Sequence, residues 1–123
     1  MGIVNNQDQQ KRNELINFVE QVTNIVQRQL LEFDPHAVFQ VHLEQNLFQF
    51  SGYAFQKPIS FSILMEEVRN LRIKSPFALD QWIWEQLQRF GIHIKEPTHY
   101  LQTVNILSNI QFPAYNKKLQ LDH

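Results

Sequence analysis

The side chains in this sequence best suited to acid–base or metal chemistry are His36, His42, Glu44, His93 and His99. His42 and Glu44 lie two residues apart in a stretch that alternates apolar and polar positions, so on a strand both point to one face. They would hold a cation or activate a small ligand only if His93 or His99 folded across from them. No ligand spacing of the kind zinc sites show is present. The chain has no cysteine, which removes thiol nucleophiles, zinc–thiolate sites and disulfides together. It has three glycines, too few for a phosphate-cradling loop, and no GxSxG, HExxH or EF-hand pattern. We therefore expect no catalytic residue, no metal and no cofactor, and take the protein not to be an enzyme. A binder or enzyme built on His42 and Glu44 stands third among the readings.

A second set of residues is basic: Arg69, Arg72, Lys74, Arg89 and Lys95. Arg69, Arg72 and Arg89 fall on two predicted helices, Lys74 lies in the short turn that joins them, and the second helix ends in Phe90-Gly91-Ile92 before a short predicted strand. That order resembles a winged helix-turn-helix, whose second helix enters the DNA major groove. The resemblance implies a nucleic-acid-binding module using Arg69, Arg72, Lys74 and Arg89. Charge argues the other way. The second helix carries Asp80 and Glu85 near where phosphate contacts would fall, and the net charge of the chain is −1.

The third set is apolar and aromatic. On the helix predicted over residues 77–90, Leu79, Trp82, Ile83, Leu87 and Phe90 share one face, whereas Phe77 and Trp84 share another. Either the helix is sandwiched between two layers, or Phe77 and Trp84 form an exposed anchor of the kind protein interfaces use. Phe18 and Ile25 likewise widen the stripe of the first helix beyond what a small sheet covers. With Leu31 they offer a surface for a second copy of the chain. The leading expectation is a non-catalytic protein–protein interaction protein: an adaptor, a chaperone-like factor or an inhibitor of a partner protein. Its partner-binding residues would be Phe77, Trp84, Phe18 and Ile25, and homodimerisation is part of that reading.

These residues need elements to hold them. A chain of 123 residues with 43% apolar content and ten phenylalanines builds one domain and one core. From residue 8 to residue 33, Leu15, Val19, Val22, Val26, Leu30 and Phe33 fall at helical spacing. Asp8 is the expected N-cap, and Asp34-Pro35 is the stop. Phe39, Val41 and Leu43 then alternate with Gln40, His42 and Glu44 as in a half-buried strand. A turn at residues 44–46 leads to a second strand over 47–50, continued by 53–55 past a bend at Ser51-Gly52.

Residues 59–64 fit either a third strand or the start of a helix. We read a short strand passing into a helix over 64–73. Ser75-Pro76 starts the next helix, and Gly91 stops it. Residues 92–95 read as a short strand. The last helix opens at 96–98 and runs to about residue 110, with Tyr100, Val104 and Leu107 inward.

The predicted fold class is α+β: a long N-terminal helix packed on a two- or three-stranded antiparallel meander, followed by three shorter helices. It spans residues 1–123 as a single domain, with 1–7 and 116–123 frayed. No apolar run approaches the ~20 residues of a membrane span, and the polar N-terminal stretch lacks the apolar centre of a secretory signal. We expect a cytoplasmic protein with no membrane association.

Overall fold

The computed structural model of the chain describes residues 6–94 and 98–108. Helix α1 (Asn6–Phe33) leads into three strands, β1 (Val38–Glu44), β2 (Leu47–Ala54) and β3 (Lys57–Leu64). Three further helices follow: α2 (Met65–Lys74), α3 (Ala78–Arg89) and α4 (His99–Ser108). This is the expected α+β arrangement, with the strands in the order β1-β2-β3 and antiparallel throughout. Residues 1–5 and the tail at 116–123 lie outside the described residues, as do residue 110 and the side chain of Leu107. Residues 6 and 7 belong to α1, and Asp8 sits in its first turn instead of capping it.

At 28 residues, α1 is about 42 Å long and packs along β1. Leu15, Val19, Val22, Val26 and Leu30 are all buried, so the stripe read from their spacing is the core face. Its C-terminus is held by Asp34. The Asp34 carboxylate accepts the N–H of His36 at 3.0 Å through Oδ1 and the N–H of Phe55 at 2.7 Å through Oδ2. Those two bonds favour the charged form and hold the carboxyl below its ordinary value. They also join the end of α1 to the turn between β2 and β3.

The register places Phe39, Gly52 and Ile59 in one row, Val41, Phe50 and Phe61 in the next, and Leu43, Phe48 and Ile63 in a third. These rows face the helices. The opposite face carries Gln40, Ser51, Ser60, His42, Gln49 and Ser62, and its apolar members Val38, Tyr53 and Leu64 are 48%, 44% and 50% exposed. No described helix covers that face. The ambiguous stretch at 59–64 is strand throughout, and the helix begins at Met65.

Helix α3 is buried on both sides. Trp82 reaches the sheet, with its ring 5.4 Å from Phe61 and 6.2 Å from Phe50. Trp84 points the other way, is 0% exposed, and donates its indole N–H to the Tyr100 hydroxyl of α4 at 3.3 Å. The sandwich is therefore the correct alternative. Gly91, at φ 84°, closes α3. Its N–H bonds the carbonyl of Gln88 and the N–H of Ile92 bonds that of Leu87, a pairing that satisfies the last carbonyls of the helix. Of the strand expected over 92–95, residues 92–94 are not a strand, and Lys95 lies outside the described residues. Ile92 and Ile94 are buried, with exposed His93 between them, but they join no ladder. Their alternation reflects burial of an extended connection, which strand pairing would also have produced.

Two backbone positions test the geometry of the meander. A Cβ on Gly52 would lie 1.9 Å from the carbonyl oxygen of Val38, backbone that cannot swing aside. Gly52→Ala is expected to lower stability by about 2–4 kcal/mol. Gln56 holds φ 64° in the β2–β3 turn, where glycine has no Cβ penalty. Gln56→Gly is expected to raise stability by about 0.5 kcal/mol. Urea denaturation midpoints check both.

Candidate functional site

Residues from two of the sequence-based sets meet in one place. Phe18 on α1 lies under Arg72 on α2, whose guanidinium carbon is 4.8 Å from the ring centroid, a cation–π contact. Beside this contact runs a groove of about 330 Å³ between the two helices, lined by Lys11, Glu14, Leu15, Arg69, Arg72 and Ile73. Its cations are Lys11, Arg69 and Arg72, and its one lining acid is Glu14. Arg69 also pairs with Glu66 at 3.3 Å, an exposed ion pair one helical turn away. Ile73 is 85% exposed, the most exposed large apolar side chain among the described residues.

The local reason for this exposure is helical phase. Met65 and Val68 are buried, with Leu71 packed partly against the core. Ile73 comes two residues after Leu71, which turns it about 200° away from that stripe. The sequence reading passed over Ile73. An isoleucine out of phase with the buried stripe was the signal available for it.

The other partner-binding candidates separate. Ile25, seven residues after Phe18 and on the same face of α1, is 40% exposed. Phe77 packs partly against the core. Trp84 is enclosed between α3 and α4 and is not available as a surface anchor. Among the basic residues, Lys74 ends α2 and Arg89 ends α3, on a different helix. As a DNA-reading helix α3 would present little, because no residue of α3 before Arg89 is fully exposed. Residues 92–94 supply no wing strand.

His42 and Glu44 do share the open face of the sheet, as their spacing implied. His42 borders a shallow depression of about 440 Å³ whose other lining residues are Gln49, Phe50, Ser51, Ser60, Phe61 and Ser62. Among the described residues no three His, Asp or Glu side chains gather closely enough to hold a metal ion. No protein-family model matches this chain, and neither a curated protein nor a solved structure is detectably similar to it. No described helix is long and apolar enough to cross a membrane.

One ionisable group is buried among the described residues. Asp80, in the first turn of α3, is 3% exposed. Its Oδ2 accepts the Tyr100 hydroxyl at 2.6 Å, and Tyr100 in turn accepts the Trp84 indole N–H. Burial raises the Asp80 carboxyl above its ordinary value, against the Tyr100 hydrogen bond, which lowers it. Burial and the neighbouring Asp80 charge push the Tyr100 hydroxyl up strongly. The chain fastens α4 to α3.

Because the folded protein holds the Asp80 proton more tightly than the unfolded chain, its contribution is complete below pH 3.8 and is lost as pH rises through the raised value. Asp80→Asn keeps an acceptor for Tyr100 and removes the charge. It is expected to stabilise the protein by about 1 kcal/mol at neutral pH, with the difference shrinking to zero in acid. Denaturation series across pH for both proteins check it.

Proposed function

We propose that this chain is a non-catalytic protein-binding domain, and that the α1–α2 groove is its partner site. The observation that carries the reading is the combination at that groove of an exposed isoleucine with three cations. Leu15 floors it, Ile73 overhangs it, and Lys11, Arg69 and Arg72 surround it. An apolar floor with a cationic rim suits an amphipathic partner segment. Such a segment places one large apolar side chain between Leu15 and Ile73 and directs carboxylates to the rim. A groove of about 330 Å³ accommodates an anchor of that size. Phe18 supports the wall, because Arg72 rests on its ring. An adaptor, a chaperone-like factor or an inhibitor would each use such a site, and the choice among them depends on the partner.

A nucleic-acid module using Arg69, Arg72, Lys74 and Arg89 is the second reading, favoured only by the convergence of Arg69 and Arg72 with Lys11. Against it, Glu14 lines the same groove and Glu66 engages Arg69, so phosphate would meet carboxylates there.

The test is a selection of displayed helical peptides on the immobilised protein. Enriched peptides are expected to carry one bulky apolar anchor flanked by Asp or Glu. They are expected to lose at least about tenfold in affinity to Ile73→Asp and to Arg72→Glu, a loss of about 1.4 kcal/mol or more. Peptides that bind both variants as well as the parent would refute the groove. Binding of mixed-sequence duplex DNA that is tight at low salt and falls steeply as salt rises would favour the second reading instead.

A further inference from the structure

The sheet has two edges, and the chain treats them differently. The two-residue turn at Gln45 and Asn46 makes Glu44 and Leu47 a hydrogen-bonded pair, so alternate residues of β1, Phe39 among them, point their N–H and C=O groups outward. Gln27 of α1 meets that edge. Its side-chain carbonyl accepts the N–H of Phe39 and its amide donates to the carbonyl of Ala37 at 2.9 Å.

On β3, the turn at Phe55 and Gln56 pairs Ala54 with Lys57. The outward groups are therefore those of Pro58, Ser60, Ser62 and Leu64. Pro58 stands where a missing N–H is tolerated. Ser60 and Ser62 have no hydrogen-bond partner on this side among the described residues, and both are exposed. Lys57 and Pro58 guard the start of this edge, but no charged residue lies between Ile59 and Leu64, so the rest of it carries no such guard.

The segment Ile59-Ser60-Phe61-Ser62-Ile63 reads the same in both directions. We propose that β3 pairs antiparallel with β3 of a second copy of this chain, about a two-fold axis at Phe61. In that register Ser60 faces Ser62 of the second copy and exchanges both N–H···O=C bonds with it, and the axis repeats the pair. The backbone groups that point outward are the ones this pairing uses. Within residues 59–63 every side-chain position then meets its own type: serine faces serine on the open side, and isoleucine faces isoleucine on the helical side. Phe61 meets its own copy at the axis.

The aromatic surface left at this edge supports the same occupant. Phe61 is only half-buried. Phe90, 6.1 Å from it, is 37% exposed, and Trp82 is half-buried beside them. A partner strand extends the sheet under those rings. A non-identical strand would satisfy the backbone equally, but only a second copy explains the reversal symmetry of the side chains. The inference shares no residue with the α1–α2 groove and stands or falls independently of it.

Sedimentation equilibrium of the full chain tests the pairing. The parent is expected to dimerise, at about twice its 14.7 kDa. Ser60→Lys with Ser62→Lys sets like charges opposite each other across the axis, on side chains that are exposed in the single chain. This variant is expected to be monomeric with unchanged circular dichroism and melting. Ser60→Glu with Ser62→Glu should behave alike, and an equimolar mixture of the two variants should restore the dimer by opposite-charge pairing. A monomeric parent at tens of micromolar overturns the proposal. So does a lysine variant that remains dimeric, or a dimer broken by Ile25→Glu on α1 but not at β3. If either serine variant unfolds, hydrogen exchange of the parent decides: protection of the Ser60 and Ser62 amides that grows with protein concentration supports the pairing, and fast exchange of both at every concentration rejects it.

Discussion

The side-chain amide of Gln27 occupies the place at the β1 edge where a fourth strand would begin. It offers an acceptor and a donor spaced like those of a peptide unit, and it delivers them to Phe39 and Ala37. A three-stranded sheet has two faces and two edges to satisfy. One long helix lying along β1 covers part of a face and, through this amide, part of an edge. What α1 covers decides what the later helices must cover. Helix α3 completes the inner face by placing Trp82 on Phe50 and Phe61. The β3 edge and the outer face are then left over, and the centre of the outer face is written in Gln, Ser and His, which water satisfies. The edge is different, because its open groups belong to backbone flanked by aromatic rings.

The second consequence concerns α3. A helix pressed on the sheet by one side and carrying a tryptophan on the other needs a further layer, and α4 supplies it. The connection is polar at its centre. Asp80, Tyr100 and Trp84 form a chain of hydrogen bonds in a place where a carboxylate gains little from its surroundings and loses its water. At the same N-terminal end of α4, the Thr98 hydroxyl donates to Gln29 on α1 and accepts the N–H of Leu101. Helix α4 is thus positioned by directional bonds at Thr98 and Tyr100, with Leu101 and Val104 buried. Hydrogen bonds fix orientation in a way that apolar contact alone does not.

Much of this was legible because it rests on periodicity. The stripe of α1, the alternation of β1 and the two apolar faces of α3 each follow from spacing, and each was found in its place. The stretch at 59–64 was not decidable from spacing, since Ile59, Phe61 and Ile63 suit a strand while Leu64, Val68 and Leu71 suit a helix. Pairing with β2 settled it, and that is a long-range contact. Residues 92–94 alternate like a strand for a reason unrelated to pairing. Gln27 was invisible, because one polar side chain among many glutamines has no local mark of the backbone it will meet. At the groove, Phe18 and the two arginines were named as members of different sets. Their meeting depends on the packing of α1 against α2, which no spacing along the chain encodes.

The two proposed surfaces would combine through symmetry. A two-fold axis that joins β3 to β3 in one continuous sheet runs perpendicular to that sheet. It would keep the helices of both copies, and with them both α1–α2 grooves, on one side of the joined sheet. A partner carrying two acidic amphipathic segments could then engage both grooves at once, and the second contact would form at the high effective concentration set by the linker. A groove of this size holding one anchor gives modest affinity by itself. If both proposals hold, doubling it on a common face would raise the affinity without any new contact, and the open β3 edge would set binding strength at a site it does not touch.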